Sequence, residues 1–294
     1  MIPAVLYISY DGMLEPLGES QVVSYLELLA SDTRIFLISY EKQGDWKDID
    51  RREKIQSKLN SSKIKWIPLR YHNKPGLLAT IYDIVVGIIV AGWIVKKHDI
   101  IIPLAAIVGM PACKANPELA IKVNYQQVKN ITEWVNKDQM ILIPNTNSQY
   151  GSSTEIITEN SPFKPLSLYA ETKCDAEKEI IKTKNYVCFR LATVFGFSYR
   201  MRSDVMVNNF VFNAVKDKKL KLFEPHFRRN FIHVRDVVDC ILYTINNFDK
   251  MKNNIYNAGL NSANITKLQL AQLIKKQIKN LKITTIKGIK DPDQ

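Results

Sequence analysis

The 294-residue sequence predicts an α/β protein built on a doubly wound parallel sheet with a smaller carboxy-terminal lobe. Short apolar runs of strand length alternate with segments whose apolar residues recur at helical spacing, the order that crossover connections between parallel strands require. No internal repeat or low-complexity linker divides the chain, so one continuous sheet is expected.

Ala4 to Ser9 (AVLYIS) is the first strand, Gln21 to Ala30 has helical spacing, Arg34 to Tyr40 (RIFLISY) is the second strand and Ile64 to Leu69 the third. Leu77 to Val95 (LLATIYDIVVGIIVAGWIV) follows, close in length to a membrane-spanning helix and ending against Lys96 and Lys97. Asp83 lies inside it, and a carboxylate at mid-membrane is costly. The segment therefore reads as a helix packed between the sheet and a neighbouring subunit, which leaves a homodimer open and a membrane span disfavoured. Ile100 to Ile102, Met140 to Pro144 and Tyr186 to Arg190 are the fourth, fifth and sixth strands, with helices at roughly 117 to 135 and 168 to 183. From about Phe197 short runs mix with helical ones and form the smaller lobe, beside the carboxyl ends of the strands where ligands bind in such sheets.

A net charge of +12 with a pI near 9.4 suits anionic partners. The lysines are scattered rather than gathered on one segment, which argues against nucleic acid. Cys113, Cys174, Cys188 and Cys240 show no CxxC spacing, no metal site is expected, and no secretory leader is evident, so a reduced cytoplasmic compartment is expected.

The chemistry sits between residues 100 and 236. Tyr169 and Lys173 are four apart, which puts both on one helix face with the ammonium able to favour a phenolate. A phenol of pKa about 10 is a poor base at neutral pH without such help. Tyr125 and Lys129 repeat the YxxxK spacing, so spacing alone does not choose. Context does: Thr146 to Gly151 (TNSQYG) directly follows an apolar strand upstream of Tyr169, and Tyr125 has no such partner. The plainer alternatives are a surface ion-pair partner for Lys173 and a strand-end cap for Thr146.

Leu104 to Ala106, Val123 and Asn124, Thr146 to Gly151, Tyr169 to Lys173, Arg190 to Gly196 (RLATVFG) and Arg229 to Asp236 (RNFIHVRD), taken in order, resemble the motifs of the extended short-chain dehydrogenase/reductase family of NAD-dependent sugar-nucleotide epimerases and dehydratases. The resemblance implies a Rossmann-like sheet, NAD or NADP as cofactor and a nucleotide sugar as substrate. It implies Tyr169 as general base, Lys173 on the cofactor ribose, Thr146 on the sugar hydroxyl and Leu104, Ala105 and Ala106 along the cofactor. Arg229 matches the arginine on the nucleotide pyrophosphate, a role suited to an always-charged fork of donors. Asn208 or Asn209 matches the phosphate- or sugar-contacting position, whereas Arg228 and Arg235 read as solvated surface and His233 as packing behind its strand. The acidic residue usual after that arginine is Asn230 here. Asn147 and Ser148 replace the Asp-Glu pair of 4,6-dehydratases, which favours epimerisation over dehydration.

The first third departs from this pattern. A dinucleotide site needs glycines in the first strand-helix turn so that the pyrophosphate can approach the backbone. Tyr10 to Ser20 (YDGMLEPLGES) has no GxGxxG, Gly12 and Gly18 are too far apart to form one, and Met13, Leu14 and Glu15 are expected where the phosphates should lie. Glu41 reads either as an imitation of the ribose-binding acid or, more simply, as a solvated strand-end carboxylate. Residues 5 to 98 resemble instead the amino-terminal half of a retaining family 4 GT-B glycosyltransferase, on Leu6 to Gln21 and Arg34 to Glu41. The expected division is therefore 1 to 98, a glycosyltransferase-like half of the sheet, and 99 to 294, the catalytic half and substrate lobe. Nothing matches the glycosyltransferase's donor-binding domain, so the readings left beside an epimerase impaired by the missing GxGxxG are a catalytically silent sugar-nucleotide-binding protein and a glycosyltransferase fragment.

Overall fold

The computed structural model describes residues 4–9, 12–15, 22–23, 26–27, 30, 34–72, 82–83, 86–87, 89–90, 100–152, 155–197 and 202–286. Seven strands form one sheet: β1 (Ala4–Ser9), β2 (Arg34–Glu41), β3 (Ile64–Arg70), β4 (Ile100–Ile101), β5 (Met140–Thr146), β6 (Tyr186–Leu191) and, after the smaller lobe is begun, β10 (Asn254–Ala258). Their spatial order is β10-β6-β5-β4-β1-β2-β3, and every neighbouring pair is parallel. The order reverses between β1 and β4, the switch point at which such sheets open a crevice. β5 and β6 are buried along nearly their whole length because helices cover both faces, which explains why ILI and YVCF carry no polar alternation.

The helices that matter to the site are α1 (Ile49–Ser61), α2 (Gln127–Trp134), α3 (Leu168–Ile180), α4 (Met206–Asp217), α5 (Val234–Asn246) and α6 (Lys267–Gln277). Asp48 accepts from the Arg51 N–H at the start of α1, Ser167 from the Ala170 N–H at α3, and Thr266 forms a capping box with Gln269 at α6. The helix expected at 117 to 135 is not uniform. Pro117–Ile121 runs into a π turn, Lys122–Gln126, before α2. That turn turns Asn124 inward, where it is 1% exposed.

The smaller lobe pairs β8 (Lys219–Phe223) with β12 (Lys282–Ile286), and a three-stranded sheet joins β7 (Thr193–Phe195), β9 (Arg228–His233) and β11 (Asn264–Thr266). Its core is Val207, Ala214, Leu220, Leu222, Phe231, Leu270 and Ile274. A second cluster, with Leu142, Val187, Phe189, Ala192, Ile232 and Phe248, packs the lobe against the main sheet. Val22, Val23, Leu26 and Glu27 are helical, while Gln21 itself and Gly18 lie outside the described residues. So do most of Leu77 to Val95 and the expected junction at Asp99. Asp83 is buried and accepts from the His72 N–H and pairs with His72 Nδ1, both at 2.6 Å. Among the described residues no helix is long and apolar enough to cross a membrane.

One polar pair crosses this core. Arg190, 4% exposed, meets Glu177, 2% exposed, with Nη2 2.5 Å from Oε1 and Nε 3.1 Å from Oε2. Removing one member of such a pair strands a buried charge, which costs about 3–5 kcal/mol. Glu177→Ala should therefore lower the unfolding free energy by about that much in urea titrations, while Asp175→Ala, which breaks an exposed pair with Lys178, should cost under about 1 kcal/mol. Equal losses in the two variants would contradict a cross-link through the core.

Candidate functional site

The site is assembled at the carboxyl end of β5. Thr146 is its last residue, and its Oγ1 accepts from the Ser148 N–H at 3.2 Å, capping the short 3-10 turn Asn147–Tyr150. Gly151 closes that turn at φ +67, and a Cβ there would come within 2.1 Å of the Lys164 carbonyl oxygen, so only glycine lets the following loop lie back over it. Thr146 is thus the cap of that turn. Its hydroxyl is also hydrogen-bonded to the Tyr169 phenol. Tyr169 lies in the first turn of α3 and Lys173 one turn later, so the structure brings Thr146, Tyr169 and Lys173 together at the end of β5.

The electrostatics differ from the expectation for the tyrosine-lysine pair. Burial holds the Tyr169 phenol above its ordinary value, against the lowering effect of the Thr146 hydrogen bond and the Arg202 guanidinium, with nearby Cys113 adding to the rise. The Lys173 ammonium donates instead to the Pro144 carbonyl at 3.1 Å. It does so because Asn145 Nδ2 binds the Lys173 carbonyl at 3.2 Å and seats that turn of α3 directly on β5. Burial then lowers Lys173 from 10.5 to about 8. Arg202 had no signal in the sequence, since it falls in a loop of no recognisable pattern.

Asn124 supports the opposite wall. Its Oδ1 accepts from the Ile107 N–H at 2.8 Å, and its Nδ2 donates to the Ile107 carbonyl at 3.0 Å and to Thr172 Oγ1 at 3.2 Å. This pins the end of the Leu104, Ala105 and Ala106 segment, which leaves β4 with Leu104 and Ala105 exposed, against α3. The competing Tyr125 belongs to the same π turn as Asn124, and it is Asn124 that reaches α3.

The lobe residues divide. Asn208 is buried and its amide is committed: Oδ1 accepts from the Gly196 N–H at 3.2 Å and Nδ2 donates to the Arg202 carbonyl at 3.1 Å. Asn209 donates to the Ser203 carbonyl at 3.0 Å and accepts from Asn213. Arg229 is exposed on β9, Arg228 donates to the Asn264 carbonyl, and Arg235 is exposed. His233 Nδ1 accepts from the Arg235 N–H and caps α5.

The first turn needs the main correction. Glu41 is neither a solvated carboxylate nor free to hold a ribose: it is 2% exposed, and it accepts from the Met13 N–H at 2.8 Å and the Leu14 N–H at 3.1 Å. The register explains this, because Ser9 pairs with Ser39 and β2 runs two residues past the end of β1. Met13 and Leu14 do not project where phosphates would lie; both are fully buried against Val23, Leu26, Leu37 and Ile55. Glu15 accepts from the Gly12 N–H and pairs with Lys42 at 2.8 Å. For the dinucleotide that the motifs imply, the groups around Thr146, Tyr169 and Lys173 fit the nicotinamide end, while the backbone donors of the first turn are already occupied.

A model of the NAD dependent epimerase/dehydratase family matches residues 90–259. Among solved structures, the chain resembles a UDP-N-acetylglucosamine 4-epimerase from Methanobrevibacter ruminantium M1 in complex with UDP-N-acetylmuramic acid (TM-score 0.69, 16% identity, 99% of this chain and 86% of that one). It also resembles a UDP-glucuronic acid 4-epimerase from Bacillus cereus in complex with UDP-glucuronic acid and NAD (TM-score 0.68, 17% identity, 98% and 87%). A dTDP-glucose 4,6-dehydratase from Bacillus anthracis in complex with NAD is similar at TM-score 0.65 and 17% identity, over 98% and 86% of the two chains.

The lowered Lys173 gives a measurable pH dependence. Below pH 8 folded and unfolded chains both hold the proton; between about 8 and 10.5 only the unfolded chain does, so stability rises with pH across that window. Urea titrations from pH 7 to 10 should show the wild type gaining stability relative to Lys173→Met above pH 8 and not below it. A difference independent of pH would place the lysine in water.

Proposed function

The chain belongs to the NAD dependent epimerase/dehydratase family, and on that footing we propose that it acts on a nucleotide sugar by oxidising one sugar hydroxyl to a carbonyl and, after rearrangement, reducing it again. The observation that carries this reading is the meeting of Thr146, Tyr169 and Lys173 at the end of β5. NAD, whose nicotinamide end Lys173, Leu104, Ala105 and Ala106 would hold, would supply the hydride acceptor and donor for the sugar carbon. The protein's part is the proton. Thr146 orients the reacting hydroxyl, and Tyr169, as phenolate, takes the hydroxyl hydrogen and later gives it back.

Burial opposes that phenolate, and the Thr146 hydrogen bond and Arg202 favour it. Lys173, with Leu104, Ala105 and Ala106, lines the cofactor. Arg229 holds the nucleotide diphosphate; Asn208 and Asn209 shape the adjoining wall, with the Asn208 amide bracing Gly196 against the 202 loop. Complexes of the structural relatives with UDP sugars and NAD support this choice of ligands. Asn147 and Ser148 after Thr146 favour epimerisation over dehydration. We read the first 98 residues as the glycosyltransferase-like half of the sheet, on the residues Leu6 to Gln21 and Arg34 to Glu41 alone.

With a UDP sugar and NAD supplied, Tyr169→Phe should cost at least about a hundredfold in turnover, the low end for general acid-base catalysis, while Tyr125→Phe leaves the rate unchanged. Equal losses would sink the assignment of the base. In calorimetric titrations with UDP, Arg229→Ala should weaken binding by about 1.5 to 3 kcal/mol, the worth of a hydrogen bond to a charged group. An unchanged affinity would move the diphosphate elsewhere.

A further inference from the structure

The first strand-helix turn of this sheet type meets a dinucleotide diphosphate with its backbone N–H groups, which only a close approach to the main chain allows. In this chain those groups point at an anion that the chain supplies itself. The Glu41 carboxylate accepts from Met13 and Leu14, and Glu15 takes the Gly12 N–H. Ser39 Oγ donates to Glu41 Oε1, and the Trp66 indole N–H donates to Ser39 Oγ at 2.8 Å, so the carboxylate is held from both sides in a buried chain of donors. Gly12 has a matching reason to be glycine: a Cβ there would lie 2.8 Å from Glu41 Oε2 and 3.0 Å from the Tyr40 carbonyl oxygen. The close approach that glycine grants a phosphate elsewhere is granted here to a side chain.

We propose that Glu41 is a specificity-determining residue which occupies the diphosphate position of the first turn and weakens the binding of adenine dinucleotides there, leaving them to be held chiefly at the nicotinamide end. Each N–H carries one hydrogen, and a diphosphate would have to win it from a buried carboxylate of like charge. The proposal rests on the family reading above in that it presumes a dinucleotide site to be guarded, and it concerns a part of the molecule remote in sequence from Thr146, Tyr169 and Arg229.

ADP-ribose tests it, since it carries the adenosine and diphosphate and undergoes no hydride chemistry. Calorimetric titration of the wild type, Glu41→Ala and Glu41→Gln should give millimolar or weaker binding in the wild type and at least tenfold tighter binding in Glu41→Ala. Glu41→Gln keeps the shape and one acceptor while losing the charge; it should bind more tightly than the wild type, and it serves if the alanine variant does not fold. UDP affinity, read in parallel, should be the same in all three. Micromolar ADP-ribose binding by the wild type, or equal affinity across the series including none in any, overturns the proposal. Loss of UDP binding in every protein while the ADP-ribose gain persists would instead count against the nucleotide-sugar reading and leave Glu41 in its role.

Discussion

A carboxylate and a guanidinium buried between α3 and the sheet hold in place almost every group at the candidate site. Glu177 reaches from α3 to Arg190 on β6 and accepts from Asn145 Nδ2 on β5. Arg190 continues to the Tyr150 hydroxyl at the end of the 3-10 turn and to the Glu159 carbonyl, and Tyr150 donates to Asn257 on β10. Three parallel strands, one helix and one turn are thereby fixed in register at the edge from which Thr146 and Tyr169 project. Removing two charges from water is expensive, and the hydrogen bonds that both groups make offset it. The return is positional: α3 cannot slide on β5 without breaking several bonds at once.

That constraint explains the state of Lys173. With its carbonyl bound by Asn145, its side chain runs against the strand and ends on Pro144, where burial weakens its hold on the proton. The same seating leaves Tyr169 to be influenced by Thr146 and by Arg202 from the smaller lobe. The lobe therefore bears on the Tyr169 phenol. Asn208 binds both Gly196 and the Arg202 carbonyl and so couples the strand leaving the sheet to that arginine.

The two ends of the crevice are built on opposite logic. Around β5 polar groups gather at the strand end, on α3 and on the loop that Asn124 pins. Around β1 they converge on one another, with Glu41 closing the turn that β1 opens. Both arrangements follow from strand length: β5 ends on a threonine able to cap the next turn, whereas β2 outruns β1 and carries an acid over it.

The strand sequence was legible without coordinates because parallel strands buried on both faces are short unbroken apolar runs, and each of the six predicted ones lies within two residues of its observed bounds. Tyr169 is preferred to Tyr125 because Thr146 to Gly151 precedes it, and the π turn that holds Tyr125 is a feature spacing cannot show. What periodicity could not reach was the partner of each polar side chain. Glu41 and the first-turn N–H groups are 28 and 27 residues apart, Arg190 and Glu177 thirteen, Tyr150 and Asn257 more than a hundred. Local sequence fixes which residues form a strand or helix, since those bonds close within a few residues. Which buried charge meets which donor depends on the register and overhang of strands laid side by side, and only the folded sheet decides it.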